Sequence, residues 1–218
     1  MASDPLLILS GAGLPASAWD DVRSRLDAES RVVPSPGPSG TLGSYADAAL
    51  ATAGDWSHFH LVAHSLGGAV ASAVVASAPE RVARVTAVAA IVPPAGRSFT
   101  GALPLPGRLV MGAVVRVLGT RPPDSALRAT CRGLSEEDTA LVVGGFAPEG
   151  RRVYLDRTPP RTWPEASYVV TTRDDQFPTA QQETYAAELG ATTVRLATGH
   201  LPMLERPAEL AALLAQAS

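Results

Sequence analysis

The sequence predicts an α/β domain: a mostly parallel sheet of about six strands, helices on both faces, and a short helical insertion. Three observations carry that prediction. Short apolar runs alternate with helical stretches at both ends of the chain, the pattern that crossover connections impose on a parallel sheet. The alternation breaks once, between residues 93 and 164, where Pro and Gly crowd the sequence. The chain has 218 residues, 46% hydrophobic and 18% charged, which suits one core with a small insertion and is too apolar for disorder.

Residues 5–10, "PLLILS", read as a short buried strand, apolar but for Pro5 and Ser10. A glycine-rich turn follows, and Pro15 suits the first turn of a helix over about 16–27. "RVV" at 31–33 is a second strand, stopped by the loop "PSPGPSG". A helix at roughly 43–54 leads to a third strand, "HFHLVA", at 58–63. "SLGGAVASAVVASAPE" at 65–80 reads as a helix of small residues able to pack tightly on a sheet, and "VTAVAAIV" at 85–92 as a buried strand.

Within the insertion, helices are expected near 108–118 and 135–144, the second opened by Ser135 with Asp138 in a capping-box spacing. Order resumes with a strand at 167–172, a helix near 179–189, a strand at 192–197 and a helix near 207–216. The expected division is a core of 1–92 and 165–218 with a cap at 93–164.

The bulk properties exclude several classes. The net charge of −3 is spread without a basic cluster, which argues against nucleic-acid and membrane partners. All 18 basic residues are Arg, a bias we read as a GC-rich, bacterial coding background. Cys131 is the single cysteine, so one chain offers neither a disulfide nor a thiolate metal site. The start lacks a basic segment before its apolar residues, and the longest apolar runs, about eight to ten residues, are too short to span a bilayer. A cytoplasmic protein acting on a small molecule is expected, its oligomeric state left open.

The first turn poses a choice. Gly11, Gly13 and Ala16 fit the G-x-G-x-x-A spacing of a dinucleotide loop. That fold wants an acidic residue at the end of the second strand, where this chain has Pro34, Ser35, Pro36 and Gly37. The alternative is a turn that offers a backbone N–H to an oxyanion, which requires a nucleophile elsewhere.

"HLVAHSLGG" supplies one. Ser65 follows a strand and opens a helix, the context that gives a G-x-S-x-G elbow its meaning, with Ala63 in place of the first glycine and Gly67 as the second. A bare helix N-cap is the competing reading. The helix start also lends the Leu66 N–H to a developing negative charge. A serine needs a base and the base an orienting group. His58 and His60 lie in the approaching strand, and the His64 side chain is expected to point elsewhere from a sharp turn. His200, in "ATGHLPM", sits just after the last strand, where a site at the C-terminal sheet edge would lie. "VVTTRDDQFP" places Asp174 and Asp175 beyond another strand end, and only one of them can face His200. Ser65, Asp174 and His200 stand in the Ser–Asp–His chain order of the G-x-S-x-G hydrolases.

At these residues the sequence resembles the α/β-hydrolase superfamily, and within it the plant-type methylesterase and hydroxynitrile-lyase branch with its bacterial relatives. "LLILSGAGLPASAW" is similar to that branch's opening, with Ser10 where a histidine is usual. "LVAHSLGG", "GLSEEDTALV", "TTRDDQFPTAQQ" (with Asp174, Pro178 and Gln182) and "GHLPMLERPAELAALL" resemble its further motifs. The resemblance implies an α/β-hydrolase fold, from which this chain departs in starting at the family's third strand and in a cap of about 70 residues, shorter than usual. It further implies a serine esterase without metal or organic cofactor. Ser65 would attack the carbonyl, His200 carry the proton and Asp174 fix the imidazole, while the Ala12 and Leu66 N–H groups hold the oxyanion. The cap stretch "RLVMGAVVRVLG" offers Leu109 and Val114 to a small or flat hydrophobic group, unless that stripe is only the cap's own packing face. Gly11 and Leu201 complete the expected substrate contacts; the lyases of the branch carry threonine and lysine there. Two rivals stay open: non-hydrolytic chemistry (elimination, cyclisation or C–C cleavage) on the same site, or a ligand-binding module without turnover.

Overall fold

A computed structural model of the chain describes residues 4–216; the outer ends of the expected core, 1–3 and 217–218, lie outside the described residues. The strands β1 (Leu6–Leu9), β2 (Ser30–Val32), β3 (Phe59–His64), β4 (Val82–Val88), β5 (Glu165–Thr171) and β6 (Thr192–Leu196) form one sheet in the order β2-β1-β3-β4-β5-β6. Every pairing in it is parallel. The helices are α1 (Asp20–Arg23), α2 (Leu42–Ala53), α3 (Gly67–Ser77), α4 (Phe99–Ala102), α5 (Gly107–Val117) and α6 (Asp124–Thr130). They continue with α7 (Glu136–Gly145), α8 (Arg151–Leu155), α9 (Thr179–Leu189), α10 (Pro202–Glu205) and α11 (Pro207–Gln216).

Alternation along each strand explains the two helical layers. Leu7, Leu9, Leu61, Ala63, Tyr168 and Val170 face one side and join the buried residues of α2, α3 and α9 in one cluster. Leu6, Ile8, Val62 and Val169 face the other and pack with Trp19, Val22, Leu210 and Leu214. Each such large side chain, fully buried, stabilises the fold by about 1.5–3 kcal/mol. β1 lies between β2 and β3, so the chain leaves the ends of β1 and β3 in opposite directions. That reversal opens a crevice at the C-terminal edge of the sheet.

Short helices α4, α6, α8 and α10 appear where none was expected, and three expected elements change substantially. The helix over 16–27 is a 3₁₀ turn (Ala16–Trp19) followed by the single turn α1, where Ser24 Oγ takes the Asp21 carbonyl at 3.0 Å and competes with the helix ladder. β4 covers 82–88 rather than 85–92, because Ala89 turns left-handed (φ 43) and the still-buried 89–92 run on as loop. The helix after β3 starts at Gly67, two residues late, for a reason that belongs to the site. At α2 the expected helix holds, opened by a reciprocal Thr41–Ser44 box. At α7 Ser135 caps the Asp138 N–H at 3.0 Å, and the Asp carboxylate returns to the Ser hydroxyl rather than to its backbone.

Candidate active site

Ser65 occupies the tight turn between β3 and α3 with φ 51, a left-handed conformation that a non-glycine residue adopts at a cost. Neighbouring backbone holds it there. Its N–H donates to the Val88 carbonyl at 3.3 Å, and its carbonyl accepts from Ile91 at 3.0 Å and Gly68 at 3.2 Å. Helix and strand come so close that a methyl at Gly67 would collide with the Leu9 carbonyl. The strained residue cannot join the helix, so α3 begins after it.

His200, in the loop between β6 and α10, approaches Ser65 Oγ with Nε2 at 3.1 Å. Its Nδ1 faces Asp174 Oδ2 at 2.7 Å. Asp174 follows β5 and is buried. Its Oδ1 accepts from the Gln176 and Phe177 N–H groups, both at 2.9 Å, and its Oδ2 also accepts from the Thr171 hydroxyl at 3.1 Å. Burial alone would raise its pKa. The bond to His200, the His200 charge and the two backbone donors outweigh burial and hold it below the ordinary Asp value. Asp175 points the other way, exposed and paired with Arg132 at 2.6 Å. Gln182 is fully buried and ties the acid loop together. Its Nε2 donates to the Phe177 carbonyl at 2.7 Å, and its Oε1 accepts from the Thr171 N–H at 2.9 Å.

The other histidines divide. His58 is exposed outside β3. His60 is buried against Thr86 Oγ1 at 2.7 Å, away from the site, and burial lowers its pKa to about 3. His64 does not point away as expected. Its Nε2 donates to the His200 carbonyl at 2.8 Å, and its ring lies 5.0 Å from the His200 ring. Burial, then the His200 charge, lowers its pKa to about 3, so it braces the base loop as a neutral donor.

The loop after β1 passes beside Ser65. Ala12 and Gly11 line the same cavity as Ser65 and His200, and Leu66 sits buried at the start of α3. Among the described residues neither the Ala12 nor the Leu66 N–H has an acceptor. Ser10, standing where the resembling branch has histidine, accepts the Trp19 indole N–H at 3.0 Å. The sequence reading passed over Glu149, which is buried and accepts from the Gly13 N–H at 3.0 Å and from the Ser35 and Tyr45 hydroxyls. No sequence motif marks it; only the fold brings it there.

A cavity of about 330 Å³ opens over Ser65, walled mainly by Phe99, Met111, Val114, Val115, Leu127 and Phe146 of α4–α7 and the loop after them. Of the expected contacts, Gly11, Val114 and Leu201 line it. Leu109 does not: it is 65% exposed. α5 places Met111, Val114 and Val115 along the cavity at i, i+3 and i+4, with the exposed Leu118 at its rim just past the helix end, which leaves Leu109 on another side of the helix. Arg121 also lines the cavity, but its guanidinium is committed to the Phe146 carbonyl at 2.8 Å and to Asp124 at 3.0 Å. Among the described residues no three His, Cys, Asp or Glu side chains are grouped to hold a metal ion, and no helix is long and apolar enough to cross a membrane.

Comparison with known proteins follows the same outline. The sequence matches the alpha/beta hydrolase family over residues 6–213. No curated protein sequence gives a significant match. Among solved structures, the chain is similar to an extracellular alpha/beta-hydrolase from a Paenibacillus species that shares structural and functional homology with tobacco salicylic acid binding protein 2. That similarity has 19% identity over 99% of both chains and a TM-score of 0.87. A pyrethroid hydrolase from Sphingobium faniae is 22% identical over 99% of this chain and 97% of its own, with a TM-score of 0.77. An Arabidopsis methylesterase is 18% identical over 99% and 98%, with a TM-score of 0.78. At such identities these structures speak for the fold alone. With the family match spanning almost all of the sequence, the chain belongs to the alpha/beta hydrolase family.

Proposed function

We propose that this hydrolase cleaves a neutral carboxylic ester through an acyl-enzyme, with Ser65 as nucleophile, His200 as general base and acid, and Asp174 as the orienting carboxylate. The observation that carries the reading is the unbroken relay Ser65 Oγ–His200 Nε2, His200 Nδ1–Asp174 Oδ2, at 3.1 and 2.7 Å, on the floor of an apolar cavity.

In the first half-reaction Ser65 Oγ adds to the carbonyl carbon while its proton passes to His200 Nε2. The carbonyl oxygen takes the negative charge and is met by the free N–H groups of Ala12 and Leu66. Collapse breaks the C–O bond to the alcohol, which leaves with the proton from His200. Water then repeats the sequence on the acyl-serine, and the acid leaves. Asp174 stays ionised throughout, because the donors around it favour its charged form. It therefore keeps the His200 proton on Nδ1 and frees Nε2 to accept from serine.

The walls set the substrate class. With Arg121 already committed, the described residues lining the cavity offer no spare cation to an anionic substrate, and burying an unpaired carboxylate there would be costly. Uncharged apolar acyl or alcohol groups fit. The test is a panel of p-nitrophenyl and methyl esters of varied acyl length, run beside Ser65→Ala with product analysis. Turnover to acid and alcohol that vanishes in the variant supports the reading. Release of some other product, or binding with no turnover, rejects it.

A further inference from the structure

One buried carboxylate has no part in that scheme. Glu149 lies between α7 and α8, over a hundred residues from the loop it touches, and a carboxylate is expensive to bury without donors. It has three: the Gly13 N–H at 3.0 Å on Oε1, and the Ser35 and Tyr45 hydroxyls on Oε2.

Gly13 is gripped from both sides, since its carbonyl accepts from the Ala147 N–H at 3.0 Å. The turn it belongs to is closed by Leu14 N–H on the Gly11 carbonyl at 3.3 Å, with Gly13 at the third position and φ 67, as a type II turn requires. The ring of Phe146 fills the space a Gly13 side chain would need. Ala12 is the second residue of this turn. The segment carrying Glu149 also reaches the cavity wall, because Thr120 Oγ1 donates to the Glu149 carbonyl at 2.6 Å.

We propose that Glu149 is a positioning residue: by fixing the Ala12–Gly13 peptide it aims the Ala12 N–H at the oxyanion of the tetrahedral intermediate. This rests on the esterase reading above. An oxyanion donor contributes only when it sits where the charge develops, so loosening its turn weakens transition-state binding and spares ground-state binding.

The experiment compares wild type with Glu149→Gln, Glu149→Ala and Tyr45→Phe. It reads kcat and KM on a p-nitrophenyl ester, the affinity of a trifluoromethyl ketone that adds to serine as a tetrahedral adduct, and the affinity of a methyl ketone of the same chain that stays planar. Outright removal of an oxyanion donor costs roughly 10²–10³ in kcat, so a misaimed one in Glu149→Ala should cost on the order of 10–100-fold, with KM within about twofold. Trifluoromethyl ketone affinity should fall in step while the methyl ketone binds as before. Gln, whose amide oxygen can still accept from Gly13, should restore most of both. If the Ala variant does not fold, Tyr45→Phe carries the test: it should weaken the tetrahedral adduct and spare the planar ligand. Unchanged adduct affinity in both Ala and Phe variants, or equal weakening of the two ketones, overturns the proposal. A wild type that neither turns over any ester nor reacts with a fluorophosphonate overturns the esterase reading, and this proposal with it.

Discussion

Changing Asp174 to Asn removes one charge and almost no volume, and the structure says where the amide must sit. Oδ1 accepts two backbone N–H groups at 2.9 Å, which an Asn oxygen can replace and an NH₂ cannot. The NH₂ is therefore forced to the position of Oδ2, 2.7 Å from His200 Nδ1 and 3.1 Å from the Thr171 hydroxyl. Two donors would then face each other, and the imidazole escapes by shifting its proton to Nε2. In that tautomer Nε2 cannot accept from Ser65. The serine-protease precedent for this wrong tautomer is roughly 10⁴ in kcat, equivalent to about 5.5 kcal/mol of barrier.

Asp175 is the internal control, one residue away with the same chemistry. Its side chain is 65% exposed and its partner Arg132 75% exposed, so the pair is screened and Asp175→Asn should stay within about threefold of wild type. Initial rates on a p-nitrophenyl ester, with thermal melts of both variants, make the measurement. A folded Asp174→Asn that keeps more than about a tenth of the activity would refute the tautomer argument, whose precedent is a roughly 10⁴ loss. A crippling Asp175→Asn would move the acid by one residue.

Ser65→Ala should lose ester turnover and fluorophosphonate labelling together while melting no lower than wild type; labelling that persists would reject Ser65. Val114→Arg, on the inward face of α5, should exclude long acyl chains and lower kcat/KM for them by at least roughly tenfold, whereas Leu109→Arg should change little; equal effects would mean that α5 sits otherwise. His60 and His64 are both held near pKa 3 against a reference of 6.5, so the unfolded chain binds protons that the native chain does not, and stability falls as pH drops through that interval. Urea unfolding at pH 7.5 and 5.0 should show a loss of up to about 2 kcal/mol for each histidine, and a flat profile would mean these rings are not buried neutral. Leu201, buried beside His200, offers no charge to departing cyanide, so ester cleavage should outrun cyanide release from mandelonitrile; the reverse would place the chain with the lyases.

Much of the fold was legible because the central strands β1, β3 and β4 are short, largely apolar runs, while the edge strands β2 and β6 carry polar residues and were read from their place in the strand–helix alternation. Ser65, Asp174 and His200 stood out because each lies just beyond the end of a strand, and strand ends are where a parallel sheet gathers chemistry. The misread boundaries share a cause. Ala89–Val92 are as apolar as a strand because they are buried as loop, and hydrophobicity reports burial rather than backbone conformation. α5 is amphipathic, with Arg108 and Arg116 on its polar side, but its apolar arc is wider than the part that meets the cavity, so the sequence did not say which apolar residues would face it, and Leu109 was chosen where Met111 and Val115 line it. Glu149 carried no local signal at all. A Glu in a Pro- and Gly-rich stretch reads as solvated surface, and only the docking of 145–150 onto the loop after β1 makes it a buried acceptor.

The long reach of the site's contacts bears on how the chain folds. His200 meets Ser65 across 135 residues, and Glu149 meets Gly13 across 136. No hairpin brings such partners together; each contact waits on large loops to close and on parallel strands that pair only through crossovers. Helical content can recover early on dilution from denaturant, since a helix needs only its near neighbours. Hydrolytic competence has no such local precursor and should be among the last properties to return. On the esterase reading, ester turnover in a refolding time course should lag the helical signal, and activity returning with the first helical signal would contradict this order.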